Sequence, residues 1–451
     1  MTNSNSKNPS RSSRSGVLVK GWAGHCTART TIRQVTDHES LLAAVGSCES
    51  WLPRGNGCSY GDAALNDGGT LIHPTFPTAF PVFTETGRVR VSASWSLAEL
   101  LAQCSIQGWT LPVVPGVLSA TVGGMVAADV HGKNHLRAGS FGSAVEAVEL
   151  LLPSGERVHC SRREEPEIFH ASLGGMGLTG IITDVTLQMV PQCEPFAEIQ
   201  VIPSSDLPET LSKLDQVAQE QDHASAWVDF SLSSRNRGRG VVIGGNMIPV
   251  EDAGRSGRLW EPQSGPELPP LPKPGEGLIL WHNRIFHLLS RMKTSPSYWP
   301  LEKLLFPLEA WSSWNRVYGA KGFHQHQSLI PEAGGPQSVE ALFERVREAG
   351  ISPTLAVIKR MGPGLGGLSF PAPGWTVSLD FAHGPGVISL LEGLNQFTAE
   401  VGGRVYLAKD STLTEEQFQK MYPAMDGFMQ VRRRVDPDRR IQSDLAARLG
   451  L

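Results

Sequence analysis

Arg54-Gly-Asn-Gly-Cys-Ser-Tyr-Gly-Asp62 places three glycines within nine residues. Two further clusters follow it along the chain. The first is Thr121-Val-Gly-Gly124, extended by His131-Gly-Lys-Asn-His135 and Gly139-Ser-Phe-Gly142. The second is Gly174-Gly-Met-Gly-Leu-Thr-Gly180. Without a Cβ, a glycine backbone can approach an anion closely, and turns of such residues make N–H groups converge into a nest. Three nests in one chain imply a dinucleotide held by its pyrophosphate. Gly175-Met-Gly177-Leu-Thr-Gly180 also spells G-x-G-x-x-G, yet a β-branched run follows it where a Rossmann unit needs a helix. Asp184 comes only four residues later, whereas the ribose-binding acid belongs about 20 on. A nicotinamide site of that type is therefore not expected.

The 451 residues are long for a single core, so two domains are expected, one for a cofactor and one for a substrate. The text predicts an α+β organisation. Arg88-Val-Arg-Val-Ser-Ala reads as a strand, and Ser96 caps the helix that follows. Ile181–Val190 reads as a strand ending at Pro191, which puts a boundary near residues 191–196. Ser338–Gly350 has helical spacing, Thr354–Lys359 and Trp375–Phe381 read as strands, and Val387–Val401 as a helix. The expected division is a disordered tail over 1–16, a cofactor domain over 17–194, a substrate domain over 195–401 and a return of 402–451 to the cofactor domain. Pro- and Gly-rich residues 262–274 open a flexible segment, 262–300. Gly277–Lys293 within it is apolar with basic punctuation, read either as a helix packed on its own domain or as a surface that meets lipid.

A net charge of −4 gives no general attraction to nucleic acid, and the basic run Arg432–Arg434 with Arg439 and Arg440 is expected to be a solvated face. Six cysteines without a C-x-x-C pair argue against a zinc ribbon or a disulfide framework and for a reducing compartment. The Ser-, Asn- and Arg-rich start lacks the apolar region of a secretory signal, and no stretch reaches the ~20 apolar residues of a membrane helix. A cytoplasmic protein, in at most peripheral contact with the inner membrane, is expected. His131 and His135 have a spacing found in zinc helices, but no Glu follows the first, and the glycines around them suit a cofactor-lining loop better; no metal is expected.

With their order, the glycine clusters resemble the PCMH-type FAD-binding domain of vanillyl-alcohol-oxidase-type flavoproteins. Trp314-Asn-Arg-Val-Tyr-Gly319, His324-Gln-His-Gln-Ser-Leu-Ile-Pro331, Phe370-Pro-Ala-Pro-Gly-Trp375, Leu407-Ala-Lys-Asp-Ser411 and Val431-Arg-Arg-Arg-Val-Asp-Pro437 narrow the resemblance to the decaprenylphosphoryl-β-D-ribose 2′-oxidase family. It implies a two-domain fold with an antiparallel-sheet substrate domain. The implied reaction is oxidation of the C2 hydroxyl of a lipid-linked ribofuranose to the 2-keto sugar, with a separate NADH-dependent short-chain reductase completing an epimerisation to arabinose. Another sugar alcohol, an aldonolactone or a glycoside is the alternative substrate, and a non-catalytic flavin-binding subunit the alternative role.

For the cofactor the resemblance implies Arg54, Gly55, Asn56, Gly57, Cys58, Ser59, Tyr60 and Gly61, then Thr121, Gly123 and Gly124. It adds His131, Gly132, Asn134, His135, Ser140 and Gly142, then Gly177, Gly180, Ile181, Ile182 and Lys409, with Lys133 near the flavin ring. Lys409, Tyr60 and His131 are the implied catalytic residues. Tyr318, Gln325, Gln327, Lys359, Thr376 and Ser378 are implied around the substrate. On a strand, alternate side chains share a face, so Gln325 and Gln327 point together, as do Thr376 and Ser378, while Trp375, Val377 and Leu379 point away. Ser378 and Thr376 stand where mycobacterial-type members carry cysteine and asparagine, which alters the sugar pocket. Cys58 stands where some relatives carry a flavin-linking histidine, and FAD is expected to be non-covalent.

Overall fold

The computed structural model describes residues 16–76, 81–231, 238–249, 260–269, 271–292 and 296–451. Residues 1–15 of the expected tail, Pro270 and Lys293 lie outside that set.

β1 (Val17–Lys20), β2 (Thr27–Val35), β3 (Trp51–Pro53) and β4 (Thr70–Pro74) form a sheet in the order β1-β2-β4-β3, with β4 parallel to both its neighbours. A second, antiparallel sheet runs β5-β9-β7-β8 from β5 (Arg88–Ser92), β7 (Val145–Leu151), β8 (Arg157–Ser161) and β9 (Ile181–Gln188). β6 (Trp109–Thr110) pairs with β10 (Val190–Pro191), where the chain leaves this region.

The third sheet has eight strands in the order β14-β11-β13-β12-β16-β17-β15-β18. These are β11 (Cys193–Ser204), β12 (His223–Val228), β13 (Gly240–Pro249), β14 (Ser297–Pro300), β15 (Phe323–Pro331), β16 (Leu355–Met361), β17 (Gly374–Ala382) and β18 (Arg404–Val405). All its pairings are antiparallel. One face carries Ile358, Val377, Leu379 and Phe381 into a core with the helices Leu207–Glu220, Gly335–Glu348 and Val387–Glu400. Leu211, Leu214 and Val217 of the first helix and Val339, Leu342 and Val346 of the second follow the 3-4 spacing that makes one side of each apolar. With that face covered, the alternate residues of the same strands turn toward the glycine clusters.

Ser96 caps the helix Leu97–Ile106 through a reciprocal pair with Glu99. Both chain ends share one core: Leu41, Trp51 and Leu71 pack with Leu407, Phe418, Tyr422 and Leu445. Trp51 and Ile441 form a parallel bridge, and the Trp51 N–H donates to the Arg440 carbonyl at 2.9 Å.

One expectation changes. The basic run is not wholly a solvated face: Arg432 is 1% exposed and donates to the Ile441 carbonyl at 2.5 Å. Arg440 reaches the carbonyls of Pro153 and Cys48 at 3.0 and 2.9 Å. Backbone carbonyls at the end of the helix His38–Ser47 need donors, and a guanidinium supplies several at once. The span 262–300, expected to be flexible, contains the 15-residue helix Glu276–Ser290 and strand β14. Its entry is tied down, since the Gly265 N–H donates to the Glu309 carbonyl at 2.7 Å and the Leu268 N–H to the Ser312 carbonyl at 2.9 Å.

The helix Glu276–Ser290 turns Ile279, Asn283 and Ser290 inward, and Phe286 meets Trp227 with ring centroids 4.9 Å apart. Leu278, Trp281, Leu288 and Leu289 point outward, continued by Met292, and Trp281 is 62% exposed. No helix among the described residues is long and apolar enough to cross a membrane.

Candidate active site

The loop 54–61 is shaped by contacts only glycine allows. Gly57 has φ +66°, and a Cβ there would collide with the Arg54 guanidinium. A Cβ on Gly61 would land on the Asp410 carbonyl oxygen. The second close approach brings the Leu407–Ser411 segment against the loop, and the Tyr60 N–H donates to the Ala408 carbonyl at 2.9 Å. Arg448 locks the pair of segments from behind, reaching Asp62 Oδ1 and Asp410 Oδ2, both at 2.8 Å.

A cavity of about 350 Å3 runs from these loops to the eight-stranded sheet. Arg54, Gly55, Asn56, Gly57, Cys58, Ser59 and Tyr60 line it, with Thr121, Gly123, Gly124, His131, Gly177, Gly180, Ile181, Ile182 and Lys409. Gly61, Gly132, Asn134, His135, Ser140 and Gly142 stand behind this lining. Asn134 donates to the Pro112 carbonyl, His135 Nδ1 accepts from the Gly362 N–H at 3.0 Å, and the Gly142 N–H donates to Asp129. They shape the His131 loop from outside the cavity. The glycine cradle fits FAD: backbone N–H groups and the Arg54 guanidinium suit its pyrophosphate, and the cavity continues into a polar chamber where a flavin ring would meet substrate.

That chamber is walled by strands. Gln325 and Gln327 of β15, Ser378 and Asp380 of β17, and Lys359 of β16 line it. The register explains the grouping: Gln325 lies opposite Asp380, Gln327 opposite Ser378, and Lys359 opposite Thr376. Thr376 and Tyr318 do not line the cavity but support residues that do. Tyr318 donates to Asp380 Oδ2 at 2.7 Å, and Gln325 Nε2 to Oδ1 at 2.5 Å. The Gln327 amide lies 3.0 Å from His131 Nε2 and 3.2 Å from Thr376 Oγ1.

Asp380 escaped the sequence reading. It continues the alternation of Thr376 and Ser378 by one more step, and that was its only signal. Burial raises its carboxyl to about 6, against the pull of the Gln325 and Tyr318 hydrogen bonds and of Lys409. Lys409 lies over the Tyr60 ring, 3.0 Å from its centroid, and burial lowers its ammonium to about 7 although Asp380 favours the charge. Burial and the neighbouring Lys359 hold His131 neutral. Lys359 Nζ lies 3.2 Å from His131 Nδ1 and Gln327 Nε2 3.0 Å from His131 Nε2, so the imidazole is held from both of its ring nitrogens. Burial pushes the Cys58 thiol up, and its sulfur lies 3.4 Å from Ser119 Oγ.

A cradle for a flavin dinucleotide that opens onto a chamber of hydroxyl-binding groups defines a flavin alcohol oxidoreductase. The comparisons agree. Residues 30–161 match the family described as FAD binding domain, and residues 389–449 the family described as D-arabinono-1,4-lactone oxidase. The chain is 32% identical to decaprenylphosphoryl-beta-D-ribose oxidase of Mycolicibacterium smegmatis over 96% of its own length and 97% of that protein. It is 34% identical to an uncharacterized Streptomyces coelicolor protein over 79% of this chain and 99% of that one. L-gulonolactone oxidase of Bos taurus is 26% identical over 94% and 96%. The chain belongs to the FAD-binding vanillyl-alcohol-oxidase/PCMH-type oxidase family, and it is an FAD-dependent oxidoreductase acting on CH–OH groups of the sugar and lactone type.

Proposed function

We propose that the protein oxidises the C2 hydroxyl of a polyprenyl-phosphoryl-β-D-ribofuranose to the 2-keto sugar, as the first half of an epimerisation toward arabinose. The observation that carries this reading is the polar wall of Gln325, Gln327, Ser378 and Asp380, facing the FAD cradle with Lys409 between them. FAD bound there supplies a two-electron acceptor for the hydride leaving the sugar carbon. Asp380 accepts the hydroxyl proton: it is held by Tyr318 and Gln325, and its pKa near 6 leaves it a carboxylate at neutral pH yet basic enough to take a proton. Lys409 stabilises negative charge that gathers on the sugar oxygen as the proton departs. Tyr60 orients Lys409 from beneath, and neutral His131, fixed by Lys359 and Gln327, gives the chamber a rigid flank.

FAD is held without a covalent bond, since a thiol with a raised pKa carries little of the thiolate needed for flavin attachment. The ketone passes to a separate NADH-dependent short-chain reductase. The exposed apolar stripe of Leu278, Trp281, Leu288 and Leu289 supports peripheral contact with the inner membrane from the cytoplasm. A second reading, oxidation of an aldonolactone, is favoured by the match of residues 389–449 to the lactone oxidase family.

Anaerobic absorbance titration separates the readings. Bleaching of the oxidised-flavin band by a polyprenyl-phosphoryl ribose, and not by free ribose or lactones, supports the first. Bleaching by lactones alone supports the second, and bleaching by none would overturn both.

A further inference from the structure

The chamber that suits a sugar also carries a charge imbalance. Arg54, Lys133, Lys359 and Lys409 line the cavity against one lining carboxylate, Asp380. Arg54 belongs to the glycine loop, where its guanidinium suits the cofactor's pyrophosphate and also donates to the carbonyls of Ala64 and Lys20. Lys409 faces Asp380 and Tyr60. Lys133 and Lys359 remain. Lys133 Nζ donates to the Leu304 carbonyl, and Lys359 Nζ to His131 Nδ1. Among the described residues neither forms an ion pair with a carboxylate. An ammonium has three protons to donate, so each lysine keeps donors in reserve toward the cavity. Two like charges buried in one cavity oppose one another: burial, and after it Lys359, lowers the ammonium of Lys133. An anion placed against both ammonium groups would relieve that opposition.

Strand order gives the anion a direction. The hydroxyl-binding groups lie on β15 and β17, and Lys359 lies on β16, the next strand. β12 follows, with Trp227 opposite Val357 of β16. Phe286 of the helix Glu276–Ser290 rests on Trp227, and that helix contacts β11 and β13. With strands about 4.8 Å apart, a ligand lying across the sheet passes within about 15 Å from hydroxyl donors and acceptors, to ammonium groups, to an apolar ring and helix.

We propose that Lys133 and Lys359 form a phosphate subsite that takes the phosphodiester joining a sugar to its lipid. The inference rests on the sugar-lipid reading above and names the feature by which this chamber prefers that substrate to a neutral lactone. The sugar sits at Asp380 and Lys409, the phosphodiester at the lysine pair, and the lipid leaves past Val357, which lines the cavity opposite Trp227.

The test uses FAD-loaded wild type, Lys133→Met, Lys359→Met and the double variant. Titration calorimetry with farnesylphosphoryl 2-deoxy-β-D-ribofuranose, which lacks the C2 hydroxyl, measures binding without turnover. Loss of one charge-assisted contact weakens binding about tenfold, and loss of both about a hundredfold. Methyl 2-deoxy-β-D-ribofuranoside, which lacks the phosphodiester, loses far less affinity than the phosphodiester ligand in every variant, and FAD content stays full. Unchanged phosphodiester affinity in the double variant would overturn the proposal. Loss of FAD in the variants would also overturn it, by assigning the lysines to the cofactor's own phosphates. If farnesylphosphoryl ribose fails to bleach wild type, the functional reading falls, and dimethyl phosphate then decides the subsite. Binding to wild type but not to the double variant keeps it, and any other result removes it.

Discussion

Two groups of buried charge meet at the segment 407–411, and they are balanced in opposite ways. Behind the cradle, Arg448 stands between Asp62 and Asp410, one cation serving two carboxylates through short contacts. In front of it, Lys409, Lys359 and Lys133 share a chamber with Asp380 alone. The first group is complete within the chain, and its charges hold segments together. In the second, the pKa values of Asp380, Lys409 and Lys133 are drawn toward neutrality, to about 6, 7 and 7. Charges satisfied internally read as architecture, and charges left for an outside partner read as function.

The comparison breaks most visibly at Lys409. Lys409→Ala should retain FAD and lose about 1000-fold in the rate of sugar-driven flavin reduction, since a charge acting on developing charge in a water-poor site is worth several kcal/mol. Stopped-flow bleaching at the wild-type rate would put Lys409 outside the chemistry. Arg448→Ala should act on the other side of the divide, costing about 3 kcal/mol of stability by stranding two largely buried carboxylates. Urea unfolding of both variants checks this, with Lys409→Ala expected to be no less stable than wild type.

Asp380→Asn should lower kcat/KM about 100-fold. In wild type, kcat/KM rises through about pH 6 as Asp380 becomes a carboxylate and falls through about pH 7 as Lys409 loses its proton. The Asn variant should lose the rising limb, which its pH profile will report. Stability carries the opposite sign. The folded state favours protonated Asp380, so its contribution is present below the ordinary carboxylate range and is lost as pH rises through about 6. The Asn variant should therefore gain in melting temperature relative to wild type at pH 8, and not at pH 3.5. The smallest expected effect is at the surface: Trp281→Glu should weaken co-sedimentation with anionic vesicles several-fold while flavin reduction by a soluble short-chain substrate is unchanged.

Much of the cradle was legible in the sequence because glycine requirements are local. Gly57 needs its positive φ whatever lies elsewhere in the chain. The polar faces of β15 and β17 were legible for a similar reason, since alternation belongs to a single strand. Strand partners were not. β17 lies between β15 and β16, and no periodicity says that Gln325 will meet Asp380, 55 residues away. Tyr318 and Thr376, expected around the substrate, hold Asp380 and Gln327 by hydrogen bonds, contacts that depend on how side chains meet across strands. Arg432 and Arg440 looked like solvent-facing charges because the carbonyls they serve, such as those of Pro153 and Cys48, come from distant turns.

The clasp between Asp62 and Arg448 joins residues separated by 386 positions. Such a contact is among the last a growing polypeptide can make, because its partner must be synthesised and a very long loop closed before it forms. On the ribosome, the glycine loop emerges early and waits, without its backing, for nearly the whole chain. Flavin capture should then follow synthesis, and a polypeptide halted before residue 404 should emerge colourless even if its eight-stranded sheet has begun to assemble.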